Sequence, residues 1–149
     1  MKKIIHISGL FVNYIILMLA LSACGNTEDP ALISYHDGMS SCCERINELG
    51  QAIDAIDPSS ADASAWLLTD LDHMNEAFSE MAALEAPAEY KEAGDMAFEA
   101  SALMNDAVSL YHDAYAGETP DSSLSAQARS QYLNAMEKLS EIGSYFSGD

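Results

Sequence analysis

Cys42 and Cys43 stand side by side, and His36 and Met39 precede them at spacings that put His36, Met39 and Cys43 along one side of a helix. Thiol, thioether and imidazole are soft ligands, so His36, Met39, Cys42 and Cys43 form a candidate site for copper or haem. The adjacent thiols also raise a redox question. Neighbouring Cα atoms are only about 3.8 Å apart, below the roughly 4.4 Å lower limit for bridged cysteines, so a Cys42–Cys43 disulfide inside a helix would be strained. The plainer reading is two reduced, small apolar side chains in or beside a helical seam, with intermolecular bridging or redox sensing as further uses. A metal site needs ligands from several elements. His73 and His112 are each expected to face outward, one residue off a seam position, and neither a Cys-x-x-Cys-His nor a His-Glu-x-x-His pattern occurs.

Other chemistry finds less support. The chain has no Gly-x-Ser-x-Gly elbow and no glycine-rich phosphate loop, and its glycines stand singly. Carboxylates such as Glu44 and Glu48 are numerous enough that some pair will always resemble an acid and a base, and on a helix face they read as solvated. Inward Glu-x-x-His pairs, which a diiron bundle would require, are absent. The expectation is a protein that is not an enzyme.

Cys24 is the third thiol. Lys2 and Lys3 open the chain, an apolar stretch becomes continuous over residues 14–21, and Leu21-Ser22-Ala23-Cys24 closes it, followed by Gly25. That order of charge, apolar run and small residues is the order of an export signal. With Cys at its end, the segment Leu21, Ser22, Ala23 and Cys24 resembles the lipobox of bacterial lipoproteins. The resemblance covers only the first 25 or so residues. It implies that the Cys24 thiol is alkylated by a diacylglyceryl group and that the signal is cut just before it. It also implies a location on the extracytoplasmic side of the cell membrane or envelope, and no cofactor beyond that covalent lipid. Two acyl chains would hold the protein stably on its membrane. Ordinary cleavage or an uncleaved anchor is the competing reading, but the continuous apolar run is shorter than the ~20 residues a spanning helix needs, and His6, Ser8 and Asn13 interrupt what precedes it. With Cys24 committed to lipid, no third thiol remains for Cys42 or Cys43.

The chain therefore divides into a signal peptide (1–23), a lipidated cysteine with a short tether (24–29) and a domain (30–149). Loss of the signal removes two of six basic residues and none of the 24 acidic ones, leaving a net charge of −20. Arg45, Lys91, Arg129 and Lys138 are scattered singly among carboxylates, which excludes nucleic acid as a partner. The same charge repels an anionic lipid surface, so attachment falls to the lipid and not to the protein's face.

Four helices account for the domain. Asp29-Pro30 reads as an N-cap with proline in the first turn, followed by a seam of Tyr35, Met39, Cys42, Ile46, Leu49, Ile53 and Ile56. Asp57-Pro58-Ser59-Ser60 stops that helix, and Ser59 with Asp62 is expected to cap the next, whose seam is Leu67, Leu71, Met74, Phe78 and Met81. A third helix is predicted from near Pro87, with small seam residues Ala93, Ala97, Ala100 and Ala107 that favour close approach. Gly117 is its expected C-cap, and Thr119-Pro120-Asp121 is expected to restart the chain with Thr119 as N-cap. The last helix runs on Ala128, Tyr132, Ala135, Leu139, Ile142 and Phe146. Short connections favour antiparallel neighbours, so the expected fold is all-α, an antiparallel up-and-down four-helix bundle. Trp66 and Phe98 lie off the seams, where they either mark a surface for an envelope protein partner or cover neighbouring helix ends.

Overall fold

A computed structural model describes residues 29–147. The expected signal peptide, the lipobox-like Leu21, Ser22, Ala23 and Cys24, the expected tether through residue 28 and the final two residues lie outside the described residues. Among the described residues the chain is a helical bundle without strands: α1 (Pro30–Asp54), α2 (Ala63–Ala82), α3 (Lys91–Tyr115) and α4 (Ser122–Ser147). No helix among them is long and apolar enough to cross a membrane.

The helix ends follow local chemistry, with four departures from expectation. α1 starts as predicted, its Asp29 carboxylate accepting the Ala31 N–H at 3.0 Å ahead of Pro30. Ser59 does not cap α2. Its N–H and hydroxyl both donate to Asp57 Oδ1, at 2.9 and 2.7 Å, which closes the turn and holds the Asp57 carboxyl below its ordinary range. Ser60 Oγ instead accepts the Asp62 N–H at 3.3 Å, and α2 begins at Ala63. The third helix does not begin at Pro87 either: a 3₁₀ turn over Ala88–Tyr90 intervenes, closed by the Tyr90 N–H on the Pro87 carbonyl, and α3 starts at Lys91. Gly117 does not adopt the left-handed conformation of a glycine C-cap, because Ala116 ends α3 in right-handed geometry and the Asp121 N–H returns to the Ala114 carbonyl at 2.8 Å. Asp121, not Thr119, caps α4, accepting the N–H groups of Ser123 and Leu124 at 2.8 and 3.1 Å.

The core gathers the seams. Ile46, Leu71, Met74, Phe78, Met81, Met104, Leu139 and Ile142 are its largest fully buried side chains, and no charged or polar residue is buried among the described residues. Helix α3 is the centre of the packing, against α4 most extensively and also against α2, while α1 packs on α2. The reason lies in side-chain size: Ala93, Ala97, Ala100, Ala107 and Ala114 on α3 and Ala128 and Ala135 on α4 are all buried, so these two backbones approach closely. α1 reaches α4 through large side chains, with the Tyr35 and Phe146 rings 6.1 Å apart. Polar ties cross the surface between helices. Arg45 on α1 pairs with Glu80 and Glu76 on α2 at 2.6 and 3.4 Å, and Lys138 on α4 reaches Glu99 on α3 at 3.5 Å.

Candidate functional site

The four soft-ligand residues differ in their surroundings. Met39 and Cys42 are buried in the core, and Cys43 is half-buried against it. His36 turns edge-on to the Phe146 ring, centroids 5.6 Å apart. Both thiols are free. Burial, together with the neighbouring Cys42 and Glu44, pushes the Cys43 thiol up to about 11, and burial followed by Glu80 raises Cys42 against a smaller opposing pull from Arg45. A thiolate is the form that ligates or attacks, and these surroundings disfavour it. Among the described residues no group of three or more His, Cys, Asp or Glu side chains stands together where a metal ion would be held.

His73 and His112 face outward, as their helix phases predict. His112 Nε2 lies 2.8 Å from Asp72 Oδ1, tying α3 to α2, and Asn75 Nδ2 donates to Asn105 Oδ1 at 3.4 Å one step along the same pair of helices. Asp72 and Asn75 carried no sequence signal, since either side chain is ordinary on a solvated helix face.

The most built surface feature lies where α1 begins. The connection after α2 is pressed down between α1 and α3, which the small residues beneath it permit. A Cβ placed on Gly38 would meet Leu84 Cδ2 at 3.0 Å, and one on Gly94 would meet Ala86 Cβ at 2.7 Å. Between this connection and the first turns of α1 runs a groove of about 560 Å³, lined by Ala31, Ser34, Tyr35 and residues 84–88. Tyr35 is 3% exposed, and its hydroxyl has no hydrogen-bond partner. Burial raises its pKa. Tyr35, Tyr90, Tyr145 and Phe146 assemble around it, with Tyr90 and Phe146 centroids 5.0 Å apart and Tyr35 and Tyr90 stacked at 5.8 Å. The sequence offered partial notice of this cluster, because Tyr35 and Phe146 sit on predicted seams while Tyr90 belongs to an irregular segment.

At the opposite end of α1, Trp66 is 50% exposed over a shallow hollow of about 350 Å³ shared with Ala52, Ala55 and Ile56. Phe98 on α3 is 69% exposed, the most open of the large hydrophobic side chains described. Both side chains are therefore largely exposed, and Trp66 stands beside the C-terminal end of α1. The chain matches no protein-family model, no curated protein and no solved structure.

Proposed function

We propose that this chain is a bacterial lipoprotein, exported, acylated on Cys24 and held on the extracytoplasmic side of its membrane, where the bundle serves as a non-enzymatic interaction or structural module of the envelope. One observation carries this reading: Lys2 and Lys3, the apolar run 14–21, Leu21-Ser22-Ala23-Cys24 and Gly25 occur in the order that signal recognition, acylation and cleavage require. The domain is read as an antiparallel up-and-down bundle. The pairings of Asp72 with His112 and of Glu99 with Lys138 support that order, because each joins the earlier half of one helix to the later half of the next.

A partner surface is favoured over an active site by the placement of side chains. The exposed aromatics Trp66 and Phe98 offer apolar area to a protein partner, and aromatic side chains are enriched where proteins meet. Among the described residues no carboxylate, histidine or cationic side chain is buried in the core. The copper- or haem-binding alternative would require His36, Met39, Cys42 and Cys43 to turn toward one ligand, while Met39 and Cys42 fill the core.

The test is at the anchor. In cells fed a labelled fatty acid, the wild-type protein should carry label and fractionate with membranes, and Cys24→Ser should lose both properties. Label retained by Cys24→Ser would refute the assignment.

A further inference from the structure

Among the described residues the exposed large hydrophobics are Ile33, Trp66, Phe98, Leu133 and Tyr145, and two of them lie at one end of the bundle. Ile33 stands in the first turn of α1 and Tyr145 in the last of α4, at the end where the Tyr35, Tyr90 and Phe146 rings gather. Tyr145 joins that ring cluster directly, 6.4 Å from Tyr90.

From this arrangement we infer that the bundle stands end-on against the bilayer, with the Ile33–Tyr145 end resting among the headgroups and upper acyl chains of an uncharged leaflet. This rests on the proposed acylation of Cys24. What selects the lipid surface as occupant is the length of chain leading to this end. From Cys24 to Asp29 is five residue steps, which span at most about 18 Å even when fully extended. An acyl group there would therefore keep this end of the domain within about 18 Å of the membrane surface. Tethering raises the effective concentration of the surface to the point where a contact too weak to recruit a free protein is continuously engaged. The side chains suit the site: tyrosine combines an apolar ring with a polar tip and concentrates at membrane–water interfaces, and Ile33 contributes apolar area. The charges define which lipid. Asp29, Glu85 and Glu89 are exposed near this end, so a negatively charged leaflet pushes it away and a zwitterionic one does not.

Trp66 is a natural far-end reporter, since its neighbours Ala52 and Ala55 lie about 30 Å along α1 from Ile33. The experiment uses the full-length, acylated protein in phosphatidylcholine vesicles that carry a brominated phospholipid. Two variants move the reporter to the near end: Trp66→Phe with Ile33→Trp, and Trp66→Phe with Tyr145→Trp. Both near-end tryptophans should shift to the blue and lose emission to the brominated lipid, while Trp66 of the wild type keeps its emission. Replacing part of the phosphatidylcholine with phosphatidylglycerol should weaken the quenching at both near-end positions. Near-end tryptophans no more quenched than Trp66, in protein whose mass shows the lipid on Cys24, would overturn the orientation and leave the anchor standing. A mass without that lipid would overturn the anchor and the orientation together. Stronger quenching with phosphatidylglycerol would overturn the choice of an uncharged leaflet.

Discussion

Burial sets the chemistry of single side chains in this bundle. The Cys43 thiol is pushed from its ordinary 9.0 up to about 11 and the Tyr132 phenol from 10.0 to about 12, each mainly by desolvation. Both groups have folded pKa values above the unfolded ones, so each contributes stability that is complete below its unfolded pKa and is lost as pH rises through its folded pKa. The urea midpoint should hold steady up to about pH 9 and then fall between about 9 and 12. Cys43→Ala should flatten the lower part of that fall, and an unchanged profile would show that Cys43 stays ionisable without cost. Glycines give a second residue-level expectation. Gly94→Ala forces a methyl against Ala86 Cβ at 2.7 Å and should destabilise by about 1–3 kcal/mol, a typical overpacking cost. Gly50, where an added Cβ meets nothing within 4 Å, should tolerate alanine with a gain of about 0.5–1 kcal/mol from helix propensity. Urea titrations of both variants check the pair, and equal signs would contradict the geometry.

At the scale of elements, the caps decide where each helix begins. Asp121 accepts two N–H groups at the start of α4, and Asp121→Ala should cost about 1 kcal/mol by leaving them to water. Thr119→Ala should leave stability unchanged, because Thr119 lies outside the cap. Hydrogen exchange at Ser123 and Leu124 locates the effect: faster exchange in the Asp121 variant alone is the expected outcome. The inter-helix ion pairs matter less. Arg45 with Glu76 and Glu80 is a solvent-exposed arrangement, and such pairs contribute about 0–1 kcal/mol. Alanine at the α3–α4 contact does more, because it sets how near the two backbones come and draws the other helices around α3.

Across the whole molecule the dominant electrostatic fact is a net charge of −18, which the proposed loss of residues 1–23 would take to −20. Self-repulsion of that size opposes the compact state, and salt relieves it as the screening length falls from about 30 Å at 0.01 M to about 3 Å at 1 M. The urea midpoint of the domain formed by residues 30–149 should therefore rise with sodium chloride over that range. A fall would mean that the attractive pairs of Arg45 and Lys138 outweigh the repulsion. The same surface keeps separate domains apart in solution, so association with a partner falls to local apolar features such as Phe98 and Trp66.

The four helices and most of their buried faces were legible in the residues alone. A period near 3.6 and a capping aspartate act within one or two turns, so Tyr35, Met39, Cys42 and Ile46 could be placed on a seam, and Asp29 at a cap, without knowing the neighbours. Ser59, Thr119 and Gly117 were misplaced because several residues with suitable chemistry compete within a few positions, and the path of the connecting chain chooses among them. Tertiary packing alone decided the rest. Ala77 and Val108 are buried beside the predicted seams because neighbouring helices cover more than one stripe. Met39 and Cys42, readable in sequence as ligands or as filler, are buried because α1 turns them into the core. The pressed connection over Gly38 and Gly94 and the ring cluster of Tyr35, Tyr90, Tyr145 and Phe146 join residues as far as 111 positions apart in the chain, from Tyr35 to Phe146. No local rule relates such residues, and only the fitting together of volumes brings them into contact.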